Sequence, residues 1–266
     1  MRRLALFTML SLTLSLACGA KDASGVLQEA RQAMGNVTSI QYSGTGMNAF
    51  FGQALITGQE WPRRDLNAYM RTINYDQRSA RDELTFAQAV FGGQQQNSNV
   101  NGDKAWSVGA NGPVPQLGAA EERQLHIWLT PHGFVKGATA AGNAQLSRKG
   151  GADVVTFTAL GKYKVEGTLD AERRVTRVAT RIANPVMGDT DLVATYSDYR
   201  SFSGGVQFPA KINIAQGGFP LWEVAVTHVT PNAPLDLPVP PAVASASIPA
   251  VQTATAKLAE GVWHIT

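Results

Sequence analysis

Four histidines, one cysteine and a few close pairs of charges are the residues of this chain with reactive potential. His126, His132, His228 and His264 stand singly, and Pro131 separates the first two, so no two imidazoles share a helical face in the way a zinc site needs. Nowhere does the sequence contain His-x-His-x-Asp-His, His-Glu-x-x-His, Gly-x-Ser-x-Gly or a phosphate-binding glycine loop. Cys18 is the sole cysteine, which excludes a disulfide within the chain and any multi-cysteine metal site. No residue therefore receives a catalytic, cofactor-binding or metal-binding role.

The remaining polar groups have two readings each. In Tyr196-Ser-Asp-Tyr-Arg-Ser-Phe-Ser-Gly-Gly-Val-Gln-Phe-Pro209, Asp198, Arg200 and the two tyrosines form either a ligand-facing patch or strand-end packing around a Gly204-Gly205 turn. Asp189 and Asp191 read as the solvated tip of a hairpin rather than a carboxylate pair. Near the end of the chain, Trp222, Val224, Val226 and His228 alternate with Glu223, Ala225 and Thr227, the period-two signature of a strand with one buried face. On that face Trp222 and His228 are the candidates for contact with a ligand, His228 as a core or cavity histidine. Met47, Phe50, Phe51, Trp61, Tyr69, Met70 and Phe86 recur on early strands and line either a hydrophobic cavity or an ordinary core.

The elements that carry these residues follow from periodicity. Asp22 or Ser24 caps a short helix with Val26, Leu27, Ala30, Ala33 and Met34 at helical spacing, stopped by Gly35-Asn36. A second helix over Ala119–Leu129 has Glu121 and Glu122 at its positive end and an apolar stripe of Leu125, Trp128 and Leu129. Pro131 breaks it, leaving a turn or short helical piece at 132–135. Strands are predicted at 39–48, 53–61, 66–75, 81–87, 104–108, 144–148, 154–159, 163–169, 175–182, 192–202, 206–215 and 221–229, with 92–102 as a polar loop. Strand follows strand without helices between, which excludes a parallel βαβ design. The predicted fold is α+β, mostly β: a curved antiparallel sheet, open and barrel-like, covered by two helices.

Three further regions flank that fold. Arg2 and Arg3 precede an uncharged apolar run, Leu4 to Ala17, that has signal-peptide length and is short for a bilayer span. Residues 1–20 are thus an export signal. It ends either at Cys18, as a lipoprotein signal whose Leu14 sits one place too far out, or by cleavage after Ala20. The product is exported, to the periplasm or anchored at the envelope. Without the two leader arginines the chain has 21 basic and 20 acidic residues, so its charge implies no nucleic-acid partner. The β-rich domain spans 22–231, and 232–255 reads as a Pro/Ala-rich linker, since six of the thirteen prolines lie between Pro231 and Ala250. Residues 256–266 then read as the first strand of a further domain.

Taken in order, Ile127-Trp-Leu-Thr-Pro-His-Gly-Phe134, Gly161-Lys-Tyr-Lys-Val-Glu-Gly167, Ile182 to Asp189, Tyr196 to Pro209, Gln216-Gly-Gly-Phe-Pro220 and Lys257 to Thr266 resemble the front portion of exported bacterial metallo-β-lactamase-fold hydrolases. That resemblance implies an accessory module preceding its own C-terminal hydrolase domain, with zinc bound in that domain and no cofactor in this chain. A curved sheet with helices also resembles, in architecture alone, the periplasmic lipoprotein carriers, which hold acyl chains in a half-barrel. The second resemblance implies a hydrophobic small molecule as partner. A third reading is a structural envelope lipoprotein tethered through Cys18.

Overall fold

The computed structural model describes residues 22–54, 56–90, 93–184, 187–248, 250 and 253–265; the segment expected to be an export signal, with Cys18, lies outside them. Asp22 opens the first helix, α1 (Ala23–Met34), its Oδ1 accepting the Gly25 N–H at 2.8 Å. Val26, Leu27, Ala30 and Met34 form the buried stripe that periodicity predicts. Six strands follow: β1 (Ser39–Ala49), β2 (Arg63–Asn74), β3 (Ser79–Val90), β4 (Gly93–Asn101), β5 (Lys104–Gly109) and β6 (Gly112–Pro115). Then come α2 (Ala120–Leu129) and α3 (Pro131–Ala141). The second run of strands is β7 (Gln145–Lys149), β8 (Ala152–Ala159), β9 (Tyr163–Leu169), β10 (Val175–Asn184), β11 (Gly188–Ser201), β12 (Gln207–Gln216) and β13 (Phe219–Pro231). A four-residue α4 (Pro241–Ala244) precedes a separate hairpin, β14 (Thr255–Ala259) and β15 (Val262–Ile265).

Thirteen of these strands make one antiparallel sheet in the order β6-β5-β4-β3-β2-β1-β13-β12-β11-β10-β9-β8-β7. Each run is a meander, and the two join where β1 pairs with β13. This topology forces curvature. A flat sheet of this width would span about 58 Å at 4.8 Å per strand. The chain must cross from the β6 edge to the β7 edge through α2 and α3, whose helical rise is about 32 Å. Curling shortens that path, and the helices cross the concave side. The sheet is open, curved and mostly β, as the sequence predicts.

The two crossing helices are locked at their junction. Thr130 is extended (φ −67°, ψ 154°), ends α2 and caps α3, its Oγ1 accepting the Gly133 N–H at 3.2 Å. Pro131 sits at the first position of α3, where its missing donor costs nothing. What the sequence reads as a turn or short helical piece at 132–135 is therefore the first part of an eleven-residue helix. Tyr196 OH donates to Leu129 O at 2.5 Å and Tyr75 OH lies 3.2 Å from Thr130 Oγ1, so the sheet holds the junction through hydrogen bonds. Phe134 is wholly buried beneath α3 and meets Phe157 edge-on at 5.6 Å.

Several expectations need correction. The described residues of the expected strand 53–61 form turns and irregular backbone instead, because Gly52 and Gly58 both take left-handed backbone (φ 68° and 82°) and break the extended run. The polar stretch 92–102 contains β4, whose ladder to β3 and β5 satisfies its main chain while its side chains bond laterally: Arg81 Nε to Asn99 Oδ1, Gln96 Nε2 to Ser98 Oγ. Residues 232–244, expected within a connector, pack on the domain. Ala233, Leu235 and Leu237 bury alternate positions, with Leu235, Leu237 and Val243 around Trp106, and Asn101 Nδ2 donates to Leu237 O at 2.9 Å. Proline bars these residues from the ladder but not from an extended chain with one apolar side. The closing segment, expected as one strand, is a fully exposed hairpin turned at Gly261 (φ 75°). Among the described residues no helix is long and apolar enough to cross a membrane.

Candidate functional site

The concave face holds a cavity of about 180 Å³ between the middle strands and α2. Its floor is set by register. Tyr42 on β1 stands opposite Arg71 on β2, Arg71 opposite Asp82 on β3, and Asp82 opposite Ser98 on β4, so one row across the sheet carries them all inward. The next row adds Tyr69 and Leu84. Ile212, Ile214, Trp222 and Val224 continue the wall on β12 and β13, and Tyr196 closes it from β11. Above, Glu122, Arg123, His126 and Leu129 project from one face of α2. Aromatic rings form a continuous side: Tyr42 and Tyr69 lie 5.9 Å apart, and Trp222 meets Tyr69 edge-on at 6.0 Å.

The polar part of this cavity is loosely satisfied. Arg71 is buried, with its side chain 8% exposed; Nη1 lies 3.5 Å from Asp82 Oδ1, and Nε has no partner among the described residues. Tyr69 OH is also 3.5 Å from Asp82 Oδ1. Burial works against the Arg71 charge, but Asp82 and the two tyrosines outweigh it and hold the guanidinium protonated. Burial pushes the Asp82 carboxyl up, with Arg71 and Arg123 pulling the other way. His126 is driven down to about 3 by burial and then by the nearby Arg71 charge. It is therefore a neutral imidazole at ordinary pH, and its 4.0 Å approach to Glu122 is not an ion pair. Its Nε2 is buried without a hydrogen-bond partner among the described residues. Burial also raises the Tyr42, Tyr69 and Tyr196 phenols, which stay protonated and can donate. Arg123 is the exception: Nη1 donates to Asn99 O at 2.9 Å and Trp106 O at 2.8 Å, pinning α2 to β4 and β5.

Of the two residues proposed from sequence to face a ligand, the structure brings only Trp222 to the cavity. His228 is exposed on the other side, its Nδ1 3.0 Å from Thr227 Oγ1. The cause is a β-bulge: Ser43 pairs with His228 and Gly44 with Val226, which leaves Thr227 as the extra residue. Beyond it the parity reverses, so Val229 turns inward where His228 was expected. Tyr196 lines the cavity, but its neighbours Asp198 and Arg200 point to solvent, Asp198 pairing with Lys211 at 2.8 Å. Asp189 and Asp191 are exposed beside the β10–β11 turn. Met47, Phe51 and Trp61 form a separate cluster with Leu221 and Phe219 at one end of the sheet, which Trp222 touches. Among the described residues no group of three or more His, Cys, Asp or Glu side chains is placed to hold a metal ion.

Arg71 and Asp82 were not singled out from the sequence, and His126 was noted there only as a single histidine without a role. A signal for the first two existed. Arg71 alternates with Tyr69, Ile73 and Tyr75, and Asp82 with Ala80, Leu84 and Phe86, so each is a charge at an inward position. His126 carried no such mark, being one polar residue on a short helix.

No family model and no curated protein matches this sequence. Among solved structures the fold is similar to that of a LolA superfamily protein from Nitrosomonas europaea, with a TM-score of 0.50 and 12% identity over 82% of this chain and 96% of that one. A domain of an outer membrane lipoprotein-sorting protein from Vibrio parahaemolyticus gives a TM-score of 0.45 and 14% identity, covering 80% of this chain and 93% of that one. LprF from Mycobacterium bovis gives 0.33 and 10%, covering 82% and 96%. The first likeness establishes a shared fold and agrees with the architectural resemblance; the other two add no weight. Nothing in these comparisons supports the resemblance to metallo-β-lactamase-fold hydrolases.

Proposed function

We propose that this chain is an exported binding protein that holds a lipid or another amphiphile with an apolar chain in the cavity between the curved sheet and α2. The observation that carries the reading is that cavity, walled by Tyr42, Tyr69, Leu84, Ile214, Trp222 and Val224 on the concave face, where an ordinary core would be filled. The fold likeness to a LolA superfamily protein agrees with it. At about 180 Å³ the cavity is smaller than a site for a whole lipid, so a long chain enters as α2 yields. The bonds from Arg123 to Asn99 O and Trp106 O, and from Gln124 to Arg78 O at 2.6 Å, are those that must open. Export and an optional tether through Cys18 rest on the leader sequence alone.

Mass spectrometry of solvent extracts from the purified protein is the test. Acyl lipid is expected in proportion to protein, and Ile214→Trp, which fills the cavity, should lose it while keeping the thermal midpoint. Lipid-free wild-type protein that also fails to bind added amphiphile would refute the reading. A second reading has one observation in its favour. Leu258, Trp263 and Ile265 are exposed by 68%, 59% and 66% on the β14–β15 hairpin, as if awaiting a further folded unit. That such a unit is a zinc hydrolase rests only on the family resemblance.

A further inference from the structure

The cavity has more hydrogen-bonding capacity than its walls use. Among the described residues Arg71 Nε and His126 Nε2 are both buried without partners, one on the sheet and one on the helix, and both residues line the same space. Buried polar atoms of this kind are rare in native interiors and mark a place for water or a ligand. The charges around them cancel. Arg71 and Arg123 are matched by Asp82 and Glu122, and Arg123 is already committed to two backbone carbonyls. Arg71 and Asp82 are cross-strand neighbours, with Nη1 3.5 Å from Oδ1. An anionic head brought to Arg71 would also meet the Asp82 carboxylate. A hydroxyl meets no such conflict, since it can accept from Arg71 Nε and donate to Asp82 or to the imidazole. The aromatic wall of Tyr42, Tyr69 and Trp222 lies next to this polar group and suits the carbon skeleton that follows.

We propose that the cavity selects an uncharged, hydroxyl-bearing head on an apolar chain, such as a glycerol monoester, and that the Arg71–Asp82 pair is what rejects anionic heads. This deepens, and rests on, the reading of the cavity as an amphiphile site. The test uses the exported protein stripped of lipid and titrated calorimetrically at neutral pH with monomyristoylglycerol, myristate and myristoyl lysophosphatidate. The glycerol ester should bind about tenfold more tightly than either anion, the ratio that one well-placed hydrogen bond and one avoided charge conflict supply. Arg71→Met should weaken the ester about tenfold. Asp82→Asn leaves Arg71 uncompensated and should move the preference toward the anions. That inversion is a result no merely structural role for Asp82 produces. Equal or tighter binding of the anions by the wild type, or an unchanged preference in Asp82→Asn, overturns the selectivity while leaving an amphiphile site. If none of the three amphiphiles binds, the cavity reading itself falls, and the selectivity with it.

Discussion

Gly167→Ala should destabilise this protein markedly, against the usual trend for glycine in a strand. A Cβ at Gly167 would stand 2.5 Å from both Phe134 Cε1 and Cε2, where nonbonded carbons rest about 3.5–4.0 Å apart. Phe134 cannot retreat, being wholly buried and packed edge-on against Phe157. Phe134 Cζ would be nearer still, so the methyl must lift α3 by roughly 1–2 Å, and with it the Thr130 junction from which α2 roofs the cavity. Overpacking of this kind costs about 1–3 kcal/mol, partly offset by about 0.5–1 kcal/mol from the lower entropy of alanine in the unfolded chain. The net loss is about 1–2 kcal/mol, equivalent to about 2–8 °C in thermal midpoint for a domain of this size. Gly109→Ala is the control. It has ordinary backbone, and its nearest neighbour would be Val114 Cγ2 at 3.8 Å, so it should be neutral or slightly stabilising. Urea titration with an unchanged slope measures both. A further variant, Phe134→Leu, should recover part of the Gly167→Ala loss when combined with it, giving a favourable coupling energy. If Gly167→Ala is as stable as wild type, the close seating of α3 on β9 is wrong, and so is the account of how the roof is held.

Two other outcomes follow from particular side chains. Burial holds His132 down to about 4 and His126 to about 3, so the unfolded chain takes up protons before the native state does. Stability from these neutral imidazoles is whole above about pH 6.5 and falls by about 1.4 kcal/mol per pH unit for each below it, toward their folded values. Urea midpoints measured from pH 7.5 to 5 should decline accordingly, and His126→Gln should flatten the decline; a flat wild-type profile over that window contradicts the burial of both rings. In the export host, Cys18→Ser should release the protein from the membrane fraction if the leader is a lipoprotein signal, whereas unchanged fractionation with normal leader removal rejects lipidation.

The segments that carried the resemblance to hydrolases have a common structural origin. Gly161, Gly188, Gly217 and Gly218 all adopt left-handed backbone at hairpin turns, and Thr130-Pro131 caps and opens a helix. A meander of antiparallel strands needs such turns at such intervals whatever its ancestry, since loop length and twist select the residues that allow positive φ. Shared turn chemistry in a shared order is thus a weak mark of family, although it correctly marked where strands end.

By itself the sequence determined the class of fold: alternation of apolar residues on a dozen short segments requires antiparallel strands with one buried face, and the capped apolar stripes require helices to cover it. It also marked inward charges at Arg71 and Asp82 for a reader who follows strand parity. Tertiary structure alone decided that these charges meet, because pairing register links residues across separate strands and no local pattern records it. It decided the fate of His228, since one extra residue at Thr227 reverses every face beyond it. It also decided that polar β4 is a strand and that Leu235 and Leu237 cover Trp106, through hydrogen bonds and contacts whose partners lie far along the chain. Periodicity is a property of neighbours in sequence; a cavity is a property of neighbours in space.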